Sequence, residues 1–186
     1  MKRIFLSGAT LAIGLMTGHQ ALGDNSETQE MHAMIAGIEF IIRNSKLEYA
    51  GQTLPDVTVL SEKELQLRFI ASGTSVHASG RDQSGGRVAA FFDRHANQIF
   101  LSEVKSLTGP GLVHELVHFL QNVNGKGDMF VSHSTCLEAE AYELQALWQA
   151  ETGIDLASMP DYGFIMTLNG ICNDAGFSWI DDAQQH

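Results

Sequence analysis

The stretch "GPGLVHELVHFLQ", residues 109–121, constrains this 186-residue chain more than any other. Leu112, Val113, Leu116, Val117, Leu120 and Val123 recur at a spacing that predicts one helix with a core-facing stripe. Pro110 suits its first turn, and Asn124-Gly125 suits its end. On that helix His114, Glu115 and His118 spell H-E-x-x-H. Positions i and i+4 stack on one helix face, so both imidazoles can aim at one ion. Zinc accepts His nitrogen at about 2.0–2.1 Å in a tetrahedral set, with room for a third protein ligand and a water. Glu115 lies about 100° around the helix from His114, where a carboxylate can take a proton from metal-activated water. At this chain's His and Glu content the pattern is expected by chance roughly 0.02 times, which sets it above two histidines that merely share a helix face.

A third ligand is sought downstream in "STCLEAEAYELQALW", which predicts a helix from about Ser134 to Thr152, stopped by Gly153. Its apolar stripe is Leu137, Ala141, Leu144 and Trp148. Glu138 and Glu140 flank the stripe on opposite sides, and Glu143 points away. A competing role for Glu138 is the capping-box partner of Thr135. Spacing alone does not separate Glu138 from Glu140.

"HELVH" followed about twenty residues later by "EAEAY" resembles the zincin metallopeptidases, in particular the gluzincin branch. The resemblance covers about residues 109–147. It implies His114 and His118 as metal ligands, Glu115 as general base, Glu138 as third ligand and one Zn²⁺ per chain. Many gluzincins carry an Asp four residues after the ligand Glu to orient a metal histidine. Here that position is Tyr142, whose hydroxyl is a candidate for the task or whose ring simply packs. No His stands three residues beyond the Gly that follows the motif in "FLQNVNG", which argues against the zincin branch with a third histidine. His133, directly before the ligand helix, is a candidate substrate contact, whereas His95 reads as a surface residue.

The remaining sequence predicts what the helix packs against. Met31, Met34, Ile35, Ile38, Ile41 and Ile42 follow helical spacing, and the polar residues 24–30 before them read as loose. Val57–Leu60 predicts a strand, and Ser61 with Glu64 a capping box that opens another helix. Residues 72–86 are rich in Gly and Ser and read as a loop. Strands near Val88–Phe92 and Ile99–Glu103 predict a hairpin. Either could be the edge along which an extended peptide lies. The fold class expected is α+β, zincin-like: a small antiparallel sheet packed on the H-E-x-x-H helix and the downstream ligand helix.

Composition bounds the setting. Net charge is −11, and no basic cluster appears that would favour nucleic acid. Lys2 and Arg3, an apolar run to about Met16 and small residues near Gly23 have the layout of a secretory signal peptide. The run is too short for a bilayer span. Residues 1–23 are therefore expected to be removed, leaving 24–186 as one exported domain, periplasmic or secreted, with no stable membrane anchor. In that compartment Cys136 and Cys172 read as a disulfide. The expected activity is zinc-dependent hydrolysis of a peptide or protein substrate. The alternatives are a non-catalytic zinc-binding module and a zinc amidase acting on a cell-wall amide.

Overall fold

In the computed structural model, which describes residues 24–72, 81–82, 87–103, 109–126, 134–153, 167 and 170–172, the H-E-x-x-H helix packs against a small sheet and two other helices, and a third helix covers the opposite face of the sheet. Helix α1 spans Asp24–Asn44 and strand β1 Asp56–Leu60. Helix α2 covers Glu62–Ser72. Strands β2 (Arg81–Asp82) and β3 (Arg87–Val88) form a short antiparallel pair. Then come β4 (Ala90–Asp93), β5 (Gln98–Ser102), helix α3 (Pro110–Gln121) and a π-helical turn at Asn122–Lys126. Helix α4 spans Ser134–Glu151. The expected signal peptide and His133 lie outside the described residues.

The main sheet has the order β1-β5-β4. It is α+β architecture as expected, but the sheet is mixed and not antiparallel. β4 and β5 form the predicted hairpin, with Phe91 opposite Phe100, while β1 runs parallel to β5 with Val57 opposite Ile99. Turn chemistry signals only the hairpin. The parallel pair is joined through α2, β2, β3 and β4, and such a long connection leaves no local mark in the sequence.

Alternation along the strands divides the core. Ala90, Phe92, Ile99 and Leu101 face α3 and α1, whereas Phe91 and Phe100 face Leu65 and Phe69 of α2. Phe91 stacks on Phe100 at 4.9 Å between centroids. The capping box of α2 forms as predicted: the Ser61 backbone N–H donates to Glu64 Oε2 at 3.2 Å, and the Glu64 N–H points at Ser61 Oγ at 3.4 Å.

Helix α1 begins earlier than its apolar pattern, taking in the polar residues 24–30. No Gly or Pro interrupts them, and acidic residues suit a helix N-terminus. Met34, Ile38 and Ile41 are buried, while Met31, Ile35 and Ile42 on the flanks are exposed. Phe40, outside the predicted stripe, is buried against Trp148 of α4 in an edge-on contact of 5.0 Å. Gly37 allows α1 to approach α3 closely: a Cβ there would meet Leu116 Cδ1 at 2.7 Å.

Helix α3 is the centre of this arrangement. Every residue from Leu112 to Gln121 is buried, so the helix has no solvent face. Gly125, at φ 76°, ends the turn that follows. Asn124 ties that turn to the segment after α1, accepting from the Glu48 N–H at 3.1 Å and donating to the Glu48 carbonyl at 2.8 Å. No helix among the described residues is long and apolar enough to cross a membrane.

Candidate metal centre

A fully buried helix must satisfy its polar side chains internally. Helix α3 carries His114, Glu115, His118 and Gln121 inside the core, the first two at 1% exposure. One turn of helix separates the two histidines, and their Nε2 atoms lie 3.1 Å apart. Helix α4 packs alongside and brings Glu138 to both. One carboxylate oxygen is 3.3 Å from His114 Nε2 and the other is 3.2 Å from His118 Nε2. His114, His118 and Glu138 form the one group among the described residues able to hold a metal ion with three such side chains.

These separations test the group against zinc. Ligand atoms at 2.0–2.1 Å from a tetrahedral ion stand about 3.3–3.4 Å from one another. The two imidazole nitrogens, 3.1 Å apart, fall close to that value; the Glu138 contacts of 3.3 and 3.2 Å are made by its two different oxygens, and one ligand atom from each of the three residues lies within 4.8 Å of the others. Both Glu138 oxygens, both Glu115 oxygens and His114 Nδ1 are buried without an aligned hydrogen-bond partner. So many unsatisfied polar atoms in one place would be costly without an ion or water to meet them. The donor set of two imidazoles and a carboxylate suits zinc.

Charge binds the group together even in the metal-free chain. Burial pushes the Glu138 carboxyl up, but His118 and His114 more than offset it and hold it at about 2. Burial likewise pushes His118 down, but the Glu138 carboxylate, with Glu115 and Gln121, carries it up to about 9. Glu115 moves the other way. Its burial outweighs the pull of both histidines and raises the carboxyl to about 6.

Strand β4 passes beside Glu115. The Ser102 N–H donates to the Ala89 carbonyl at 3.0 Å, which fixes the hydrogen-bonding parity of the hairpin. Ala89, Phe91 and Asp93 therefore direct their backbone groups to β5, and Ala90 and Phe92 direct theirs to the outer edge. Among the described residues no strand pairs with that edge. The Phe92 backbone acts on the Glu115 carboxyl from there, lowering its pKa slightly. β5 is the central strand, so of the two strands considered as edges it is β4 that occupies one.

The other predicted site residues take varied places. Glu140, the alternative third ligand, is buried at 1% but faces away from the histidines. Its Oε2 accepts from Gln121 Nε2 at 2.9 Å and from Lys126 Nζ at 3.0 Å. Tyr142 sets its ring edge-on to the His114 ring, with centroids 4.6 Å apart. Thr135 lies inside α4, and Glu138 is engaged with the histidines and not with the helix start. His95 is exposed in the β4–β5 turn. Cys136 and Cys172 form a disulfide with Cα atoms 5.5 Å apart, packed on Ala139 and Tyr142.

Sequence reasoning missed Gln121. Its side-chain oxygen lies 2.8 Å from His118 Nδ1, and its amide nitrogen donates to the Leu137 carbonyl at 2.9 Å. A signal was present: His114, His118 and Gln121 fall at i, i+4 and i+7 of a helix otherwise apolar on that face. Comparison of the chain with protein-family models, with curated proteins and with solved structures finds no match.

Proposed function

We propose that this chain is an exported zinc-dependent hydrolase that cleaves peptide bonds. The observation that carries the reading is the buried convergence of His114, His118 and Glu138 on one small volume, with the buried Glu115 carboxylate beside them. A zinc ion bound there supplies Lewis acidity to a carbonyl oxygen and acidifies water. His114, His118 and Glu138 would hold it. Glu115, with its carboxyl raised to about 6, is poised to accept a proton from water near neutral pH and return it to a leaving amine. The outward backbone groups of Ala90 and the outward carbonyl of Phe92 would pair with an extended peptide as an added strand.

On this reading the fold is a small zincin of gluzincin type. The helix with two histidines, the strand edge beside it and the glutamate on a following helix support that reading. Export is supported by the leader-like layout of residues 1–23 and by the disulfide.

A second reading is favoured by one observation. All four residues of the cluster are buried, Glu138 most exposed at 7%, as suits a zinc that stabilises a fold. Glu115→Gln separates the two. A hydrolase keeps one zinc per chain in this variant and loses cleavage of a peptide library, because an amide cannot accept the proton. A zinc-loaded wild type that cleaves nothing in the library, just like its variant, supports the binding module instead.

A further inference from the structure

The structure assigns Gln121 a positioning role: backed by Glu140 and Lys126, it fixes which nitrogen of His118 is offered to the metal. This inference rests on the zinc reading above. It follows from donor and acceptor chemistry alone. The Leu137 carbonyl can only accept, and it lies 2.9 Å from one end of the Gln121 side chain. That end must be the amide NH₂. The same NH₂ also meets Glu140, whose carboxylate is shared with the Lys126 ammonium. The other end is then the carbonyl oxygen, which can only accept. It lies 2.8 Å from His118 Nδ1, so Nδ1 must carry the proton. In the neutral ring Nε2 is left with its lone pair, on the side facing His114 and Glu138.

The relay also accounts for the turn after α3. A π-helical turn closing at Gly125 returns Lys126 to α4, where its Nζ meets both oxygens of Glu140 at 3.3 and 3.0 Å. A buried carboxylate without a cation would be costly, and Lys126 offsets that cost from a half-exposed position. Negative charge behind the Gln121 amide polarises it and makes its oxygen a better acceptor for the His118 proton. Tyr142 sets its ring against the other histidine, His114.

The test is zinc affinity of the full mature chain, measured by competition with a chromophoric chelator. Gln121→Leu is expected to weaken zinc by about 10–100-fold, the usual effect of losing such a partner. Gln121→Glu sets two carboxylates against each other and is also expected to weaken it. The exchange Gln121→Glu with Glu140→Gln restores a donor facing an acceptor between the two side chains but leaves a carboxylate oxygen against the Leu137 carbonyl, so it is expected to recover part of the loss, which a residue that only fills space would not do. In the ¹⁵N spectrum of the zinc-loaded wild type, His118 is expected to carry a slowly exchanging proton on Nδ1. Unchanged affinity in Gln121→Leu, no recovery in the exchanged pair, or a proton on Nε2 would each overturn the inference. A wild-type chain that takes up no zinc at all overturns the metal reading itself and with it this role. Zinc uptake by the wild type with full affinity in the variants sinks the relay alone.

Discussion

Glu138 and Glu140 stand two residues apart on α4, both buried, and turn to different partners. Glu138 reaches the two histidine Nε2 atoms, and Glu140 reaches Gln121 and Lys126. Two residues along a helix rotate the side chain by about 200°, which places one carboxylate on each side of the Leu137–Ala141–Leu144 contact. On the zinc reading proposed above, the pair divides the work between gripping an ion and supporting the grip. Glu138→Ala is expected to lower zinc affinity by more than about 100-fold, beyond the range of an outer partner. Glu140→Ala is expected to lower it less. Calorimetric titration of the two variants gives the order directly, and the reverse order would exchange their roles.

The metal-free chain should respond to pH in a defined sense. His118 is raised from 6.5 to about 9, so its contribution to stability is complete below about 6.5 and is lost as pH rises through about 9. Glu115, raised to about 6, acts in the same direction at lower pH: its contribution is present below about 4.5 and lost as pH rises through about 6. Glu138, lowered to about 2, contributes above about 4.5 and loses that as pH falls through about 2. Thermal unfolding of chelator-treated protein is therefore expected to shift downward between pH 6.5 and 9. Zinc displaces the His118 proton, so its apparent affinity should rise by about tenfold per pH unit over the same interval. A melting temperature that climbs across that interval without metal would contradict the His118–Glu138 pairing.

The disulfide fastens the first turns of the ligand helix. Cys136 lies two residues before Glu138, and its bond to Cys172 closes a sequence separation of 36 residues. On a chain-entropy account such a bridge stabilises by about 3–4 kcal/mol. Cys172→Ser is expected to lower the melting temperature and also to weaken zinc, because Glu138 loses a restraint on its distance from the histidines. Denaturant melts and chelator competition on the same samples check both effects. Two titratable thiols in the unfolded, unreduced wild type would show that the bridge is absent.

Much of this was legible in the sequence for identifiable reasons. His114, Glu115 and His118 declare themselves because helix spacing alone puts them on one side of one element. The β4–β5 hairpin and the Ser61–Glu64 box are local, so turn and cap residues reveal them. The parallel pairing of β1 with β5 is not local, and nothing in "VTVL" encodes its partner. The choice between Glu138 and Glu140 depended on how α3 and α4 are rotated against each other, a tertiary quantity. Gln121 on its own carries no such local signal, because an amide near a helix end is usually solvated. Only the burial of α3 on all sides turns it into a residue that must find partners within the core.

Zinc content of the purified chain tests the central claim most directly. Elemental analysis after exhaustive dialysis against buffer carrying a trace of zinc is predicted to give one zinc per chain in the wild type, and none when His114, His118 and Glu138 are all replaced by alanine. A wild-type chain that retains no zinc, or a triple variant that retains the full complement, would contradict the account.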